Sequence, residues 1–205
     1  EILGIDMINR RYGLTGGPSL GNITDLHDLD IVHIGSLEEN IKVARAFRKL
    51  VRTEPKRRVI EGGKGWNIRF YNDRGTLMCN FFSYEDPEDA PLRNFTMDVI
   101  QEEVAIEARV CDETHTLYTP TVLGVDDAVL HGVKGAGPIH IDGDHMRVIA
   151  YHTASRGECF LGDNIIARGA LVNITTPDEE YHAICVIDRE GVRNLTPTWS
   201  GFYED

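Results

Sequence analysis

The chain has 205 residues, is 41% hydrophobic and 26% charged, and carries a formal net charge of -12. This composition excludes a disordered or membrane-embedded chain, and no apolar run approaches the roughly 18 residues of a membrane span. The acidic balance argues against a nucleic-acid binder, whose phosphate contacts need clustered Lys and Arg. The length suits one domain with a real core.

Cys79, Cys111, Cys159 and Cys185 form no CxxC pair. Reduced thiols in a cytoplasmic protein are the expected state. No signal-peptide pattern is visible, although the first residue is Glu1 rather than Met, so a leader could have been removed. Asn22, Asn94, Asn173 and Asn194 each open an N-x-T triplet, which leaves glycosylation open.

In chain order, "SLEENIKVARAFRKLV" predicts a helix: Ser36 and Glu39 form a capping-box pattern, and Ile41, Ala44, Phe47 and Val51 recur on one face. The basic stretch "RKLVRTEPKRR", Arg48 to Arg58, reads as the helix end and a turn. "WNIRFYN" and "TLMCNFFSY" around "DRG" predict a hairpin. From Pro91, the spacing of Met97, Ile100 and Val104 predicts a helix to about Glu103, and alternation beyond it predicts a strand. After His140 come short apolar runs: "IHID", "RVIAYHT", "ECFL", "ALVNIT", "YHAICVI" and "RNLTPTW". Their density points to an antiparallel sandwich or barrel.

The concentration of chemistry lies in "GPIHIDGDH". On a strand, His140 and Asp142 project to one face while Ile139 and Ile141 pack on the other. An imidazole and a carboxylate on one face make two legs of a metal site, and His182 in "EYHAICV" supplies a third. Two histidines and a carboxylate form the facial triad of non-haem Fe(II) oxygenases. Arg193, a forked and permanently charged donor, suits a carboxylate ligand. Asp144 and His145 read as turn residues, and His27, His33, His115 and His131 have no ligand spacing.

The order "HID" (His140 to Asp142), "RVIAY" (Arg147 to Tyr151), "RGECF" (Arg156 to Phe160), "YHAICV" around His182, then Arg193 and "LTPTW" resembles the iron(II)/2-oxoglutarate-dependent dioxygenases, especially prolyl-4-hydroxylase-like members. The resemblance covers roughly the C-terminal 70 residues. It departs from the family pattern at Arg156 and Cys159, where a Gly and a Thr are usual, and at Arg193, where many members have Lys.

The resemblance implies a double-stranded β-helix (jelly roll) in a mainly β, single-domain chain. Residues 136–205 would be its metal-binding core, and residues 1–135 would support the barrel and shape the substrate mouth. It implies Fe(II) on His140, Asp142 and His182. It also implies 2-oxoglutarate as cosubstrate, its distal carboxylate on Arg193 with Tyr151 as a further donor, and hydroxylation of an unidentified amino acid, peptide side chain or small metabolite. No nucleic-acid or membrane partner is expected, and the oligomeric state is open.

Two alternatives stand beside it. A cupin-like metal-binding barrel would not use 2-oxoglutarate. A methyltransferase would use "VIEGGKGW" at Val59 to Trp66 as a nucleotide loop, but needs alternating strands and helices that the pattern lacks.

Overall fold

The computed structural model describes residues 10–16, 19, 28–61, 64–132 and 146–196. The chain divides into two compact units, the first running to Asp89 and the second from Ala90 to Ser200. Both are built mainly of β-strands.

The first unit holds β1 (Arg11–Leu14), β2 (Asp28–Gly35), α1 (Leu37–Thr53), β3 (Arg58–Glu61), β4 (Lys64–Tyr71) and β5 (Leu77–Tyr84). They form one sheet in the order β1-β2-β5-β4-β3. Helix α1 starts where the capping box predicts: the Ser36 hydroxyl accepts from the Glu39 N–H, and the Glu39 carboxylate accepts from the Ser36 N–H. Its buried stripe is Val43, Ala44, Phe47, Leu50 and Val51. The basic stretch closes the helix. Arg58 donates to the carbonyls of Val51 and Arg52, while Arg57 bonds Glu54 and Asp73. The expected hairpin is β4–β5, turned through Gly75 at φ 78°, with the Asn72 side chain accepting from the N–H groups of Arg74 and Thr76.

The second unit holds β6 (Thr96–His115), β7 (Thr121–Gly132), β8 (Met146–Ala150), β9 (Asn164–Thr175), β10 (Glu180–Val186) and β11 (Val192–Asn194). The sheet order is β10-β8-β7-β6-β9-β11, and β10 also pairs with β9, which closes a five-stranded barrel. The β8–β10 pair is parallel; the other pairs of the barrel are antiparallel. Its interior is aliphatic, with Val104, Ile106, Val110, Leu123, Val148, Ile165, Leu171 and Ile184 all at most 1% exposed.

Three expectations are corrected here. Residues 96–103 are strand, not helix: Thr96 to Val99 pair with Thr175 to Val172, and irregularities between Val99 and Gln101 and between Gln101 and Val104 shift the alternation. Each shift adds a residue, so the apolar spacing imitates a helical one. "ECFL" forms no strand; Phe160 sits in a buried turn, its N–H donating to Asp163 Oδ2 at 2.9 Å. The boundary at 135/136 also falls inside the barrel, because β6 and β7 precede it and supply two of the five strands. A jelly roll packs two four-stranded sheets; the described strands after Ala90 close a single ring of five, with β11 beside β9, and do not by themselves make that arrangement. "IHID" lies outside the described residues.

Candidate functional site

Strand alternation decides which β10 side chains face the barrel interior. Ile184 and Val186 belong to the aliphatic core, so His182 and Glu180 lie on the same face, at the end where β10 enters the barrel. His182 pairs with Asn173 of β9, and Asn173 pairs with Asp98 of β6. The Asn173 amide donates to Glu180 Oε1 at 2.6 Å. These residues form a polar rim above the apolar interior.

Ile100, Asn173, Glu180, Tyr181 and His182 line a hollow of about 540 Å³ at this mouth. A second hollow, of about 310 Å³, is lined by the connection between β9 and β10, through Thr176, Pro177, Asp178 and Glu179, together with Pro91, Arg93 and Asn94. The connection is a tight turn. The Thr176 hydroxyl accepts from the N–H groups of Asp178 and Glu179, and the Thr176 N–H donates to the Glu179 carbonyl.

One outward-facing cluster holds that turn against the barrel. Arg147 on β8 donates both terminal nitrogens to Glu179, each at 2.7 Å, and its guanidinium lies 4.0 Å from the centre of the Tyr181 ring. Tyr181 is 4% exposed, and its hydroxyl is buried beside the Arg147 guanidinium. Burial pushes the Tyr181 phenol up from its ordinary value, with the Arg147 cation opposing. The phenol therefore stays protonated at neutral pH, its oxygen buried rather than open to the hollow.

Of the residues expected to form an iron and 2-oxoglutarate site, the described ones do not all meet at this mouth. His140 and Asp142, with Asp144 and His145, lie outside the described residues. His182 is at the mouth. Arg193 is not: it pairs with Ile166, seven positions along β9 from Asn173, a separation of roughly 20 Å along the strand. Tyr151 follows Ala150, which pairs with Val186 at the far end of β10, and its N–H donates to the Val186 carbonyl. Alternation on β8 turns its ring outward, since Met146, Val148 and Ala150 fill the interior. Arg193 and Tyr151 are therefore not positioned to share a cosubstrate with His182.

The "EYH" alternation could have placed Glu180 beside His182 from sequence. The Arg147–Glu179 fork had no such signal, since it joins residues far apart in the chain.

Among the described residues, one group of metal-type donors has atoms within 4.8 Å of one another: Asp28, Asp30 and Cys79 of the first unit. Burial raises the Cys79 thiol above its ordinary value, against the pull of Arg69. A protonated thiol beside a guanidinium is a poor ligand, and no metal is assigned to it. No helix among the described residues is long and apolar enough to cross a membrane.

No protein-family model, curated protein or solved structure matches this chain.

Proposed function

We propose that the second unit is a ligand-binding barrel of the oligonucleotide/oligosaccharide-binding (OB) type, and that it takes a neutral oligosaccharide at the mouth bearing His182. The observation that carries this reading is the strand order. Numbering the barrel strands from β6, it runs 1-2-3-5-4 and back to 1, with the third and fifth parallel. Barrels of this type receive ligands across the second and third strands and on the loops between strands one and two and between four and five. The turn between β9 and β10, which lines one hollow and joins the two strands that line the other, corresponds to the latter loop.

Charge chooses between the two ligand classes. Residues 90–200 carry 17 Asp and Glu against eight Lys and Arg. An acidic surface repels a phosphate backbone. A neutral sugar needs what the hollows offer: amide, carboxylate and imidazole groups for hydroxyls, and Ile100 and Pro91 as apolar contacts.

The test is titration of the full chain with neutral gluco-, manno- and galacto-oligosaccharides and with single-stranded oligo-dT, read by amide NMR. One oligosaccharide class should shift Asn173, Glu180 and His182, and Asn173→Ala should weaken it at least tenfold. Absence of any oligosaccharide response, or tight oligo-dT binding, removes the reading.

A metal oxygenase keeps one favourable observation. Ala183 pairs with Arg147, so His182 and Met146 immediately precede that register, and the segment containing His140 and Asp142 joins β8 at Met146. The position of Arg193 does not fit 2-oxoglutarate as the sequence implied. A visible charge-transfer band with anaerobic Fe(II) and 2-oxoglutarate, lost in Asp142→Ala, would establish the oxygenase; metal binding without the band would favour a metal barrel that does not use 2-oxoglutarate.

A further inference from the structure

The opposite end of β9 carries a second feature, independent of the mouth. Ile166, Arg168, Arg189, Arg193 and Leu195 line a hollow of about 590 Å³, with Asp188 and Glu190 also on its wall. The three arginines come from three segments. Arg168 is exposed on β9, Arg193 is exposed on β11 opposite Ile166, and Arg189 belongs to the turn between β10 and β11. Backbone bonds fix that turn to β9: the Arg168 N–H donates to the Gly191 carbonyl at 2.8 Å, and the Gly191 N–H donates to the Asp188 carbonyl at 3.2 Å.

Residues 90–200 contain only eight basic side chains, and three of them meet in this one hollow. Arg168 and Arg189 make no salt bridge to any described residue. The apolar part of the lining is accessible, with Leu195 46% exposed, and Ile187 in the adjoining turn 73% exposed. An acidic surface around a local cationic hollow confines anions to that hollow.

We propose that this hollow binds a phosphate monoester whose carbon portion rests on Ile166 and Leu195. Guanidinium groups present planar, paired donors to phosphate oxygens, and clusters of them are a recurring means of phosphate recognition. The ester could belong to a small metabolite or to a phosphorylated side chain, the recognised group being the same.

The probe is phenyl phosphate, titrated into the full chain at low ionic strength and followed by amide NMR, with inorganic phosphate and benzoate in parallel. Phenyl phosphate should shift the amides of Arg168, Arg189 and Arg193, bind several-fold more tightly than inorganic phosphate, and weaken as salt is added. Arg168→Gln with Arg189→Gln should weaken it at least tenfold; both side chains are on the surface, and an unchanged thermal midpoint confirms the fold. A phosphoserine peptide binding at this hollow more tightly than phenyl phosphate supports the site and identifies a protein ligand; weaker peptide binding supports a small ester. No shift at these arginines, equal binding by the double variant, or benzoate binding as tightly as phenyl phosphate would overturn the proposal.

Discussion

The barrel of the second unit is aliphatic along the middle of its strands and gathers buried polar groups, among them Thr121, Asp163 and Asn194, at the end where β9 begins, whereas the helix-covered sheet of the first unit buries His33, Asn40 and Asn80 among Phe47, Phe70 and Phe82. The buried polar groups of that sheet run across its strands. His33 on β2 shares a 2.9 Å hydrogen bond with Asn80 Oδ1 on β5, and the Asn80 amide donates at 2.9 Å to the Ile68 carbonyl on β4. Asn40 of α1 donates to the carbonyls of Gly35 and Ser83, tying the helix to two strands. An open sheet has free edges, and a shift of one position turns every side chain to the wrong face. Directional bonds between strands oppose that shift. A closed barrel meets much of the same need by geometry, since every strand has two neighbours; its buried polar bonds, such as Asn194 to Asp163 Oδ2 at 2.7 Å and the Thr116 hydroxyl to the Cys159 carbonyl at 2.7 Å, lie at one end rather than across the middle of the strands.

The sharpest way to break this comparison is at the barrel's seam. A Cβ on Gly169 would lie on the Cys185 carbonyl, in backbone that side-chain motion does not relieve. Gly169→Ala should therefore part β9 from β10 and abolish the barrel's cooperative denaturant transition, while α1 and its sheet keep theirs. A normal barrel transition in that variant would show that closure is not what holds its register.

In the first unit, Asn80→Leu removes the central link and leaves the His33 ring without its partner. A loss of about 1–3 kcal/mol is expected in urea unfolding, followed by Trp66 fluorescence in a Trp199→Phe background.

A pH series on the same reporter is expected to show a smaller effect. Burial lowers the His33 pKa from 6.5, the Asn80 bond opposing and Arg10 adding to the shift. The unfolded chain thus takes up this proton at a higher pH than the folded one. Stability should be full above pH 6.5, fall as pH drops from there to the lower folded value, and then level off. His33→Phe should flatten that limb, and an unchanged limb would assign the dependence to other groups.

The smallest expected effect is at the Arg147–Glu179 fork. The side chains are 28% and 45% exposed, so a double-mutant cycle should give a coupling of about 0.5–1 kcal/mol, falling with salt. A coupling near zero would mean that the turn between β9 and β10 is held by its own Thr176 bonds.

Where local rules dominate, the fold was legible in the sequence. Ser36 and Glu39 marked the start of α1, Asn72 to Gly75 marked the hairpin, and the β-branched runs marked β9 and β10. It was not legible where pairing partners decide the outcome. Nothing near Val99 announces that β9 draws it into a strand, and nothing near Ala183 announces a parallel neighbour. His182 lies on a strand, as the alternation of "EYHAICV" implied, but distance along β9 separates it from Arg193, and linear order had suggested proximity. An ordered string of motif residues does not say which end of a strand each one occupies.

The pairing of β6 with β9 has a kinetic consequence. Thr96 meets Thr175 and Arg109 meets Asn164, so the first barrel strand waits for the fourth before half its edge is satisfied. The intervening β6–β7 and β7–β8 pairs are local and form early; the seam requires closing a long loop. Refolding of this unit belongs in the millisecond-to-second regime of non-local β topologies. Until the seam closes, the exposed edge of β6, with Val99 and Ile100, is the part of the chain most open to pairing with another copy.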